Sequence, residues 1–160
     1  MLPTNHWTKN SSLGGLGQCW NEVRRIDAGR HSDEGGNAPS VRVRRGDITA
    51  LSVDVIVNAA SEGLRGGGVD GAIHQAASPT LHKECCRLYP DGDFADGAFV
   101  TGGHNLHAEW VIHTVGPRLT GGDRGEPELL AACYRNSLAA AADLDARTVV
   151  FPAISAGILE

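Results

Sequence analysis

Residues 53–74 read VDVIVNAASEGLRGGGVDGAIH, and this stretch decides the fold. Val53, Val55, Ile56 and Val57 form a short β-branched run, the pattern of a strand buried on both faces. Asn58 closes the run with a polar amide at the strand's carboxyl end, the edge at which open α/β sheets bind ligands. Gly66, Gly67 and Gly68 let the main chain approach a ligand with no side chain in the way. Residues 69–74 then start a helix, so free N–H groups and the positive dipole end face whatever the loop holds. Such a turn is a phosphate site made of backbone. Asp70 and His74 lie four apart and share one face of that helix.

The run from Gly66 to Gly71 satisfies G-x-G-x-x-G literally. A dinucleotide fold, however, places its first glycine directly after the strand, and here residues 59–65 intervene. A loop and a second helix also separate this strand from the next. No G-x-x-x-x-G-K-[ST] occurs, so the turn is not a P-loop.

The chain has 160 residues, enough for one domain with a real core. A formal charge of −5 argues against a nucleic-acid surface, which needs a basic footprint. A nucleotide stays compatible, because backbone N–H groups hold a diphosphate without Lys or Arg. Cys19, Cys85, Cys86 and Cys133 match neither a disulfide framework nor a zinc spacing, so they read as reduced thiols of a cytoplasmic protein. No apolar run approaches a membrane span, so no membrane partner is expected.

Residues 1–39 carry no clear periodicity and read as a flexible N-terminal extension, with at most a short helix over 21–26. The domain is expected over 40–160. Residues 40–45 alternate Val41 and Val43 with Arg42 and Arg44, as an edge strand does. Gly46-Asp47-Ile48-Thr49 is a turn, in which Asp47 is either a capping carboxylate or an acceptor for an adenine amino group. Ser78-Pro79 predicts a cap and first-turn proline for a helix over 80–88. Strands are predicted over 98–101 and 110–115, and a helix over 127–144, where Leu130, Cys133, Ser137, Ala141 and Leu144 recur at helical spacing. Residues 148–154 (TVVFPAI) predict a strand that Pro152 bends or marks as near an edge. Ser155, Ala156, Gly157 and Ile158 follow as a second small, N–H-rich turn. His104, His107 and His113 have no Cys or carboxylate spacing that completes a metal set, so no metal site is expected. Adjacent Cys85 and Cys86 point to burial of at least one rather than redox work.

Five segments in this order resemble the macro domains, and within them the MacroD-type ADP-ribose hydrolases and O-acetyl-ADP-ribose deacetylases. They are Gly46-Asp47-Ile48-Thr49; VDVIVNAA over 53–60; GGGVDGAIH over 66–74, with Cys85 after Glu84; WVIHTVGP over 110–117; and CYRNSL over 133–138 with FPAIS over 151–155. The resemblance implies a three-layer α/β/α fold around a mixed sheet, with an ADP-ribose cleft at the carboxyl ends of its central strands. It implies that Asp47 accepts from the adenine amino group and that Ile48 adds a backbone contact. Asn58 would face the distal ribose. Gly66, Gly67, Gly68 and Val69 would form one diphosphate loop, and Ser155, Ala156, Gly157 and Ile158 the other. Asp70 and His74 match the acid and imidazole of the hydrolytic subgroup, with Asn58 beside them; no cofactor is implied.

Two departures stand out. The family's N-A-A-N reads N-A-A-S here, so Ser61 replaces an amide that helps place the distal ribose and would leave a polar partner unmet or water-filled. The glycine turn is one residue shorter than in most relatives. The resemblance also implies a last helix and strand after Glu160, which are lacking; a fragment, a truncated reading frame and a domain completed by a partner stay open. The implied partners are ADP-ribose or O-acetyl-ADP-ribose and mono-ADP-ribosylated proteins. The implied reaction is hydrolysis of an ester on the distal ribose, Asp70 orienting a water and His74 fixing Asp70 or the sugar. A module that holds ADP-ribose without cleaving it is the rival, and an inactive fragment is the third reading.

Overall fold

The protein is described by a computed structural model over residues 20–25 (main chain only), 40–61, 67–89, 97–118 and 121–156. Among these residues the elements are β1 (Trp20–Arg25), β2 (Ser40–Arg45), β3 (Val53–Ala59), α1 (Gly68–Ala77), α2 (Pro79–Leu88), β4 (Ala98–Gly102), β5 (Ala108–Thr114), α3 (Glu126–Asp143) and β6 (Thr148–Pro152). A 3-10 turn, Ile48–Ala50, links β2 to β3. The strands form one mixed sheet in the order β2-β1-β6-β3-β5-β4. β3 is parallel to both β5 and β6, while β4 runs antiparallel to β5, and β1 antiparallel to β2 and β6.

Val55, Ile56 and Val57 of β3 are apolar in succession, as in a strand covered on both faces. Ile56 packs with Ile73, Ala77, Leu81 and Cys85 of α1 and α2, together with Phe99 and Val111. Val55 and Val57 face the other way and pack with Cys133, Ala140 and Ala141 of α3, together with Ile112, Val149 and Phe151. The result is three layers, with α1 and α2 on one face and α3 on the other. Asp54 fastens the amino ends of β3 and β6 together: its Oδ2 accepts from the N–H groups of Arg147 and Thr148, both at 2.8 Å.

The chain leaves β3 through α1 and α2 to reach β4 and β5 on one side. It then returns through α3 to β6 on the other side. β3 is thus the switch point, and the carboxyl ends of β6, β3 and β5 lie side by side there.

Two expectations are corrected. Residues 20–25 form a strand within the sheet, not a helix in a flexible extension, because β2 and β6 supply backbone partners along both of its edges. β6 is an interior strand, flanked by β1 and β3; Pro152 ends it rather than marking a sheet edge. The edge reading of β2 holds: its residues are exposed throughout, Val43 to 76%.

Candidate functional site

The parallel register of β3 and β5 sets Asn58 beside His113, and the antiparallel register of β4 and β5 sets Phe99 opposite His113. All three point to the face that α1 and α2 cover. The His113 ring stacks on Phe99 with centroids 4.3 Å apart and planes 9° apart. α1 lies over this face, and its first turn carries Asp70 toward the end of β3.

Asp70 is 1% exposed and accepts from two directions. Asn58 Nδ2 donates to Oδ1 at 2.7 Å. Ser61 donates to Oδ2 twice, from its N–H at 3.2 Å and its hydroxyl at 2.5 Å. The hydroxyl of Ser61 thus clamps the carboxylate. His74 Nε2 lies 3.4 Å from Oδ1, but neither ring nitrogen of His74 makes a hydrogen bond among the described residues. Asn58 is wholly buried; its Nδ2 also meets His113 Nδ1 at 3.1 Å, and its Oδ1 has no partner among the described residues. His113 Nε2 meets the Thr101 hydroxyl at 2.9 Å and the Cys85 thiol at 3.9 Å.

Burial sets the electrostatics of this cluster. It holds the His74 pKa below the ordinary imidazole value; Asp70 pulls the other way and His82 pushes further down. Burial likewise drives His113 well below that value, with His74 and His104 adding to the effect. Both rings are thus neutral at neutral pH. The Cys85 thiol is pushed up to about 12, first by burial and then by the charge of Asp70. A Cys–His nucleophile needs a thiolate poised near neutrality, so Cys85 is a packing residue.

His74, Cys85 and His113 bring ligand atoms within 4.8 Å of one another, and by type they form a zinc donor set. Chain spacing did not reveal this convergence. Both His113 nitrogens, however, are already engaged, Nδ1 with Asn58 and Nε2 with Thr101. His113 is thus tied into a hydrogen-bonded polar network under the end of β3, whereas His74 has no such partner among the described residues.

The other expected residues fall around it. Gly67 caps α1, and Gly68 follows at φ +54°, a left-handed conformation that favours glycine. Val69 is half-buried against the α1 side of the core. Ser155 and Ala156 follow β6, where Ser155 at φ +61° donates its hydroxyl to the carbonyl of Pro117 at 2.8 Å. Gly116 makes that approach possible: a Cβ there would stand 2.1 Å from Ser155 Oγ. Asp47 caps the 3-10 turn, its Oδ1 accepting from Thr49 N at 2.9 Å, and Ile48 is buried. Gly66, Gly157 and Ile158 lie outside the described residues. Sequence reasoning passed over Thr101 and weighed His113 as a metal ligand, which its spacing did not support. The available signal was the polar pair His113-Thr114 closing an apolar strand as Asn58 closes its neighbour.

The Macro domain family model matches residues 57–160. An O-acetyl-ADP-ribose deacetylase of Klebsiella pneumoniae is 53% identical over 116 residues, 71% of this chain and 66% of that one. A macrodomain of Oceanobacillus iheyensis solved with ADP superposes with a TM-score of 0.62 at 41% identity, covering 70% of this chain and 62% of that one. A Trypanosoma brucei macrodomain in complex with ADP-ribose is 42% identical, with a TM-score of 0.50 over 60% of this chain and 39% of that one. The chain spans 64% and 66% of the length of two curated relatives, each at least 52% identical to it. No described helix is long and apolar enough to cross a membrane.

Proposed function

Because this chain belongs to the macro domain family, we propose that it binds ADP-ribose and hydrolyses an ester on the distal ribose. The acyl partner would be a protein Asp or Glu side chain, or acetate. The observation that carries this reading is Asp70 in the first turn of α1, directly after the Gly67-Gly68 backbone and braced by Asn58 and Ser61. A diphosphate laid against the first N–H groups of α1 places the attached sugar within reach of that carboxylate. Asn58 Oδ1, buried without a partner among the described residues, is an acceptor suited to a sugar hydroxyl. Asp70 Oδ1 takes one hydrogen bond from Asn58 and keeps a lone pair that can orient a water. Neutral His74 sits beside that oxygen, 3.4 Å away. The name of the Klebsiella relative supports the hydrolysis, and the ligands of the two solved neighbours support the binding.

One observation favours a second reading. Asp70 is nearly inaccessible, and Ser61 saturates its Oδ2, which suits a module that holds ADP-ribose without cleaving it. Calorimetric titration with ADP-ribose, paired with release assays on glutamate-modified protein and on O-acetyl-ADP-ribose, separates the two. Release with turnover supports the hydrolase. Binding without release makes the protein a reader, and absence of both overturns the proposal.

A further inference from the structure

We propose that His113, with its proton on Nε2 and Thr101 as the acceptor, is a positioning residue that fixes the orientation of Asn58 and through it Asp70. The inference rests on the hydrolase reading above and deepens it. An amide nitrogen only donates, and Asn58 Nδ2 faces both Asp70 Oδ1 at 2.7 Å and His113 Nδ1 at 3.1 Å. Turning the amide over would set Oδ1 against the Asp70 carboxylate, so Nδ2 stays where it is. His113 Nδ1 must then accept, which leaves the ring proton on Nε2 to donate to Thr101 Oγ1 at 2.9 Å.

The four groups form a directional chain: His113 to Thr101 on one side, Asn58 to His113 and Asp70 on the other. Every member is at most 2% exposed, and the ring plane is held by Phe99. Buried, fully engaged donors of this kind set geometry rather than chemistry. Their effect here is to hold Asn58 Oδ1 and the free lone pair of Asp70 Oδ1 in fixed directions.

The test uses the full chain. Nitrogen-15 NMR of the histidine rings is expected to show His113 as the Nε2–H tautomer at pH 7. His113→Phe keeps the stacking on Phe99 and removes the acceptor; its kcat should fall roughly 10- to 100-fold while KM changes much less. Thr101→Val, close in shape, should give a smaller fall. His113→Asn, which returns an acceptor near the Nδ1 position, should recover part of the loss. In an Asn58→Ala background His113→Phe should cost little more. A proton on Nδ1, an imidazolium, full kcat in folded His113→Phe, or equal losses in both backgrounds would overturn the assignment. Where His113→Phe does not fold, Thr101→Val and the wild-type tautomer decide. A wild-type chain with no turnover sinks the hydrolase reading itself, whereas a wrong tautomer in an active chain sinks the relay alone.

Discussion

Asn58, at the end of β3, donates to Asp70 in the first turn of α1 at 2.7 Å, tying strand to helix across the glycine turn. The bond is wholly buried, so removing its acceptor leaves the Asn58 amide and two Ser61 donors without their partner. Asp70→Ala should therefore lower stability by about 1–3 kcal/mol and abolish ester release, while ADP-ribose binding persists in weakened form. Denaturant unfolding, the release assay and calorimetry read the three effects separately. Unchanged turnover in a folded Asp70→Ala protein would remove Asp70 from the reaction.

Ser61→Ala deletes only the hydroxyl donor and keeps the backbone N–H to the same oxygen. The expected cost is about 1.5–3 kcal/mol, the net worth of a hydrogen bond to a charged group. A change below a few tenths in the denaturant midpoint energy would mean that the hydroxyl does not hold Asp70 in solution.

Gly116→Ala addresses the opposite side of the site. The added Cβ would stand 2.1 Å from Ser155 Oγ and 2.6 Å from Ile154 Cγ2, closer than real contacts allow. Ile154 is buried against the α3 side of the core, so relief must come from movement of the turn after β6. ADP-ribose affinity should fall at least tenfold, about 1.4 kcal/mol, with the Asn58 and Asp70 side-chain resonances little changed. Wild-type affinity in this variant would take the Ser155 turn out of the ligand site.

These outcomes separate what local sequence could reveal from what it could not. The two-sided burial of β3 was legible because Val55, Ile56 and Val57 leave no polar face. Ser78 and Pro79 marked the start of α2, and the Ser78 hydroxyl accepts from Thr80 N there. Asp70 and His74 were legible from a spacing of four. β1 was not, since WNEVRR has little strand signal of its own and owes its conformation to β2 and β6, distant in the chain. His113 was missed for a related reason. Its meaning depends on a register that sets it beside a residue 55 positions earlier, which no window of sequence displays.

Thiol chemistry checks the reading of Cys85. With its pKa pushed up to about 12, only about one Cys85 in ten thousand is thiolate at pH 8. Cys133 is also raised by burial, and its thiol donates to the carbonyl of Val115 at 2.9 Å. Cys86 is exposed. Brief alkylation of the native protein should label Cys86 and spare Cys85 and Cys133, both becoming reactive on unfolding. Peptide mass mapping reads the order directly. Rapid native labelling of Cys85 would show that the core beneath β3 opens readily.

Acid stability reports on the two buried imidazoles. Their folded pKa values lie below the ordinary 6.5, chiefly through burial. Between the folded value and 6.5 the unfolded chain binds more protons than the native one, so stability rises with pH across that window. It is complete above about 6.5 and is lost as pH falls toward the folded values. His113, the more strongly shifted of the two, should contribute a slope approaching about 1.4 kcal/mol per pH unit, extending further into acid than that of His74. Unfolding free energies in the wild type should be nearly level between pH 7.5 and 6.5 and fall steadily at pH 5.5 and 5.0. In His113→Phe the dependence should flatten, whatever the absolute stability of that variant. An equally steep profile in the variant would mean that His113 takes up its proton in the native state and is not held neutral by its surroundings.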